Sequence, residues 1–92
     1  MARTLGWRVA HFRTAQTDGR WMTPVAADGK GFPDLCCVRG EQLLFIELKA
    51  DRGRLSQEQD EWLAALQDSQ RCGVAVFYPR DWANGAVEMA LR

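Results

Sequence analysis

Apolar and polar positions change period several times along the chain, and each change marks an element. Over residues 6–14, "GWRVAHFRT" alternates. Trp7, Val9 and His11 fall on one face of a predicted strand, and Arg8, Ala10 and Phe12 on the other. Residues 15–31, "AQTDGRWMTPVAADGKG", are rich in Gly, Asp and Thr and read as a long irregular loop. Strands are expected over 33–39 and 42–49. A helix is expected over 56–70, "SQEQDEWLAALQDSQ", with Gly73 as its stop signal. "VAVFYP" (74–79) is apolar throughout, the pattern of a strand buried on both faces. "RDWANGAVEMALR" suits a short C-terminal helix, although Asn84-Gly85 equally suits a hairpin turn.

The order strand, strand, strand, helix, strand predicts an α/β fold with a mixed β-sheet flanked by helices. The helix between the third and fourth strands makes a crossover that joins parallel neighbours. Repeats, low-complexity tracts and linkers are absent from the sequence, so residues 1–92 are expected to form a single domain.

Within this pattern, charge sits where strands normally exclude it. Asp34 opens "PDLCCV", while Glu47 and Lys49 close "LLFIELK". "VRGEQL" offers a two-residue turn at Gly40-Glu41, with Gly at the position where a type II′ turn needs positive φ. Arg39 then faces Gln42, and paired numbers sum to 81. Asp34 therefore lies opposite Glu47, with Cβ atoms about 4.5–5.5 Å apart, and Lys49 follows on the Glu47 face. Two carboxylates this close repel unless something neutralises them. A divalent cation does so, since Mg2+ is held by one or two carboxylates, waters and phosphate oxygens. Such an ion activates water and polarises a phosphoryl centre. A neighbouring lysine orients that water or offsets developing charge. The constellation fits metal-assisted phosphodiester hydrolysis.

Each residue also has a plainer reading. Glu-x-Lys on a strand is usually a surface ion pair, and Asp after Pro often only starts a strand. Adjacency on one face, with apolar neighbours around, favours the functional reading. Gln59 completes a capping box with Ser56, or contacts the metal site, or does both. Trp62, Leu63 and Leu66 read as core. His11 reads as a strand residue, with contact to DNA or to the attacking water as the alternative.

Composition adds bounds rather than detail. Apolar residues make up 47% and charged residues 26% of 92 residues, and the formal net charge is zero. Residues 1–54 carry nine Lys/Arg and six Asp/Glu (+3), and residues 55–92 carry three and six (−3). That asymmetry is a modest footprint for a polyanion. No stretch nears the roughly 18 apolar residues of a membrane span. "MARTLGWRVAHF" lacks a signal-type apolar core, so a cytoplasmic protein is expected. Adjacent Cys36 and Cys37 point to opposite strand faces, and no Cys spacing suits zinc. All three cysteines read as small hydrophobes in a reducing compartment.

Four blocks in order, "GFPDL", "FIELK", "GRLSQEQDEWL" and "YPRDW", resemble the VRR-NUC branch of the PD-(D/E)XK nuclease superfamily, over nearly all of residues 5–92. The resemblance implies a restriction-endonuclease-like core, a Mg2+- or Mn2+-dependent site and DNA as substrate. It matches Asp34 to the motif Asp, Glu47 to the motif acid, Lys49 to the motif Lys and Gln59 to the helix Gln. The Leu48 backbone carbonyl corresponds to the further metal ligand. Small stand-alone bacterial and phage members act on branched DNA as homodimers, so a homodimer is expected here. Members usually begin with a helix bearing another metal-binding Glu, and "MARTLGW" leaves no room for that first helix. Arg52 and Arg54, with Arg13, Arg20, Lys30 and His11, are the expected DNA contacts. A rival reading keeps the fold as a weak or silent DNA-binding or assembly module. A plain structural domain would show neither cleavage nor metal binding.

Overall fold

The computed structural model describes residues 2–12, 15–17, 20–22 and 27–92, without the side chains of 15–17 and 20–22. A single 3-10 turn, Arg3–Leu5, leads into strand β1 (Arg8–His11). Two short strands follow, β2 (Ala15–Thr17) and β3 (Arg20–Met22), paired antiparallel outside the main sheet. This corrects the expected irregular loop at 15–17 and 20–22, while 27–31 are turn and coil as expected. The sequence carries the signal, because Asp18-Gly19, a hairpin-turn dipeptide, separates the two strands.

Strands β4 (Leu35–Arg39) and β5 (Gln42–Leu48) form the central hairpin. Helix α1 (Gln57–Asp68) then crosses to β6 (Gly73–Phe77). The main sheet has the order β1-β4-β5-β6, antiparallel except for the β5–β6 pair, which is parallel. The mixed sheet and its crossover thus match the sequence pattern. The α1 stop does not, because the chain turns at Gln70 (φ 58°), ahead of Gly73, and Gly73 itself opens β6.

The C-terminal segment forms two short helices, α2 (Pro79–Ala83) and α3 (Ala86–Leu91), with Gly85 at φ 81° between them. Asn84-Gly85 therefore breaks a helix and turns no hairpin. Pro79 begins α2, and the Tyr78 N–H donates to Asp81 Oδ2 at 2.7 Å. None of the helices described is long and apolar enough to cross a membrane.

Strand alternation sorts the sheet into two faces. One carries the core: Trp7, Cys37, Ile46 and Phe77 pack with Val87 and Leu91 of α3. Cys37 is fully buried while Cys36 points to the other face, as adjacency on a strand requires. The Trp7 indole N–H donates to the Leu91 carbonyl at 2.8 Å. Arg39 closes this end of the molecule. Its guanidinium donates to the carbonyls of Leu5 (3.1 Å), Leu91 (2.8 Å) and Arg92 (2.9 Å), and lies over the Trp7 ring at 4.4 Å. A charged residue at a strand end thus ties both termini to the turn. Helix α1 lies on the opposite face.

Candidate active site

The central turn sets the site. Gly40 takes φ 59°, as the first central residue of a type II′ turn must, and Glu41 keeps negative φ. The resulting register pairs Arg39 with Gln42 and Leu35 with Ile46. One step further, Asp34 stands opposite Glu47. The Asp34 carbonyl accepts the Phe12 N–H at 2.9 Å, so its backbone points towards β1 and away from β5. Asp34 and Glu47 therefore form a non-hydrogen-bonded pair, whose Cα atoms approach to about 4.5 Å with side chains close. Asp34 Oδ2 accepts the Leu48 N–H at 2.9 Å, which ties the carboxylate to the end of β5. Within a strand the N–H and C=O of one residue point to the same side, so the Leu48 carbonyl also faces the Asp34 strand.

Glu47 is only 2% exposed, an unusual place for a carboxylate. Its Oε1 accepts the Gln59 Nε2–H at 3.1 Å, whereas its buried Oε2 has no partner. Burial pushes the carboxyl from its usual 4.5 up to about 8. The facing Asp34 adds to that shift, and Lys49 opposes it.

Gln59 joins the acid to the lysine. Its Oε1 accepts from Lys49 Nζ at 2.7 Å and from the Ser56 N–H at 2.9 Å, while its own N–H donates to Ser56 Oγ at 3.1 Å. Capping and site contact, alternatives by sequence, are made together by one amide. The first turn of α1 is held against the loop before β4 by a close backbone approach. A Cβ on Gly31 (φ 86°) would lie 2.6 Å from the Glu58 carbonyl carbon and 2.7 Å from Gln59 N. Only glycine fits there.

A family model for the VRR-NUC domain matches residues 10–80, more than half of the chain. The chain belongs to the VRR-NUC domain family. Membership implies nuclease-type processing of DNA. No curated protein and no solved structure matches the chain.

The VRR-NUC match contains Asp34, Glu47, Lys49 and Gln59, and stops before α3. Other residues singled out by sequence are scattered. Arg52 and Arg54 are exposed on the loop between β5 and α1, next to Lys49 in the chain. Lys30 pairs with Glu58 at 3.2 Å on the surface of α1. His11 pairs with Leu35 and so shares the core face, opposite to the carboxylates. It is not brought to the site. Arg13 and the Arg20 side chain lie outside the described residues. Sequence reasoning missed Phe32, whose ring meets Phe12, Phe45 and Trp62 edge-on beside the site. A half-buried Trp62 fits its reading as core, and so does the buried Leu63.

The residues fit a hard divalent cation. Two opposed carboxylates and a backbone carbonyl make an all-oxygen donor set. The partnerless Glu47 Oε2 is a buried carboxyl oxygen that a cation would satisfy on displacing the proton. Among the described residues, no third Asp, Glu, His or Cys joins them.

Proposed function

We propose that the chain is a DNA endonuclease that hydrolyses phosphodiester bonds with Mg2+ or Mn2+. The observation that carries this reading is the buried, partnerless Glu47 Oε2 on the sheet face that also bears Asp34. Asp34, Glu47 and the Leu48 carbonyl are the groups that would hold the ion. When bound, it supplies an activated water and polarisation of the scissile phosphoryl group. Lys49, steered by Gln59 at 2.7 Å, sets an ammonium beside the carboxylates. There it orients the attacking water or offsets charge developing on phosphate. Arg52 and Arg54, on the loop leaving β5, contact flanking phosphates.

We further propose that two copies pair by a two-fold axis, with the exposed Val38 and its neighbours at the turn end of the sheet in the interface. Two symmetry-related sites suit paired cuts in a branched duplex. Light scattering at tens of micromolar protein checks this, and a mass of only one chain would exclude the pairing.

The main reading is tested with labelled linear, flapped and four-way DNA, with Mg2+ or Mn2+ and Glu47→Ala as control. Cleavage by the wild type alone supports it. A wild type that binds DNA and cuts none of these with either metal selects the second reading, a silent DNA-binding module. The absence of a third acid beside the pair among the described residues favours that alternative.

A further inference from the structure

The row of side chains holding the carboxylates continues past Asp34. In the β1–β4 register Arg8 pairs with Val38 and Ala10 with Cys36, so the next partners on that face are Phe12 and Asp34. Their pairing is made explicit by the 2.9 Å hydrogen bond from the Phe12 N–H to the Asp34 carbonyl. Phe12, Asp34 and Glu47 thus form one row across three strands. Adjacent strands lie about 4.8 Å apart, so the Phe12 side chain leaves the sheet one strand spacing from Asp34.

Phe12 is 43% exposed, yet it is not loose. Its ring rests edge-on against Phe32, with centroids 5.6 Å apart at 82°. Phe32 is gripped in turn by Phe45 (5.6 Å) and Trp62 (5.0 Å), both also edge-on. The Trp62 indole N–H donates to the Asp28 carbonyl at 2.9 Å, which pins the far end of the group. Phe12 is therefore the solvent-facing member of a four-ring cluster whose inner members are fixed. A ring has nothing to offer a phosphate. It does offer a π-face to a base that has left its stack, and such contacts tolerate any base.

We propose that Phe12 stacks an unpaired nucleobase next to the phosphodiester bond held at Asp34 and Glu47. DNA with an unstacked base at that position then binds more tightly than continuous duplex. The inference rests on the nuclease reading above, and it names the feature of the substrate that the site selects.

The test uses the full chain and DNA containing an unpaired segment, with 2-aminopurine substituted at each position of that segment in turn. Fluorescence is read in EDTA. Wild type and Phe12→Tyr should quench the probe at one or two positions, the signature of stacking. Phe12→Leu, which keeps an apolar side chain but no π-face, should lose the quenching. Its affinity for the unpaired DNA should fall about fivefold to 140-fold, the range for one aromatic–base stack. Its affinity for continuous duplex and its thermal stabilisation by Mg2+ should match the wild type. If Phe12→Leu binds the unpaired DNA as tightly as a wild type that cuts DNA, stacking is refuted and the nuclease reading stands. If the wild type neither binds nor cuts any DNA, with or without metal, both are refuted.

Discussion

Glu47→Gln replaces a carboxyl that burial keeps protonated, and its effect follows from the carboxyl's two environments. Folded, the group keeps its proton up to about pH 8; in the unfolded chain it releases it near 4.5. The folded state therefore binds the extra proton between these values, and stability falls as pH rises through that window. It is highest below about 4.5, and the loss is complete above about 8. Each pH unit in the window is worth about 1.4 kcal/mol, so at pH 7 the cost is about 3 kcal/mol. Gln has no charge to lose and keeps an acceptor for the Gln59 N–H. Metal-free Glu47→Gln should therefore exceed the wild type in stability at pH 7 by up to about 3 kcal/mol, and the excess should vanish near pH 4.5. The assay is urea unfolding of both proteins in EDTA from pH 4.5 to 8.5, because their difference cancels every titrating group except Glu47 and those coupled to it, Asp34 and Lys49. Excess Mg2+ should reverse the ranking. At a thousandfold over its dissociation constant a ligand stabilises by about 4.1 kcal/mol, more than the deficit, and only the wild type should gain it. Equal pH slopes in the two proteins, or equal stabilisation by Mg2+, would refute the reasoning.

Other perturbations probe the supports of the site and the proposed DNA path. Gly31→Ala forces a Cβ against the α1 backbone at 2.6 Å while keeping φ at 86°. It should cost at least about 1–3 kcal/mol and lower cleavage further than that loss explains, as Gln59 shifts off Lys49; unchanged cleavage would unlink the loop from the site. Arg39→Ala removes four hydrogen bonds, three to backbone carbonyls and one to Gln42 Oε1, and a ring contact. It should destabilise by about 2–4 kcal/mol in thermal melts, and Arg39→Lys should not restore the loss because an ammonium lacks the planar fork. Replacing Arg52 and Arg54 together with Ala should weaken DNA binding and flatten its salt dependence while Mg2+ stabilisation persists. Unchanged junction binding would move the DNA elsewhere.

Much of the site follows from local chemistry that a sequence displays openly. A glycine where a two-residue turn needs positive φ sets the β4–β5 register, and alternation then puts Asp34, Glu47 and Lys49 on one face. The capping box at Ser56 and the parallel crossover follow from equally local signals. What only the tertiary structure decides are meetings between residues distant in the chain, whose energies depend on packing that no local pattern encodes. Gln59 reads as a cap by sequence. It becomes the bridge between Glu47 and Lys49 because the crossover lays the first turn of α1 over the end of β5. The alternation of β1 is plain, but which of its faces meets the carboxylates depends on pairing with β4. That pairing turns His11 to the core side and sets Phe12 beside Asp34. Arg39 is a strand-end charge until the two termini fold back to offer their carbonyls. The raised pKa of Glu47 likewise has no sequence signal, because burial is a property of the assembled sheet and helix.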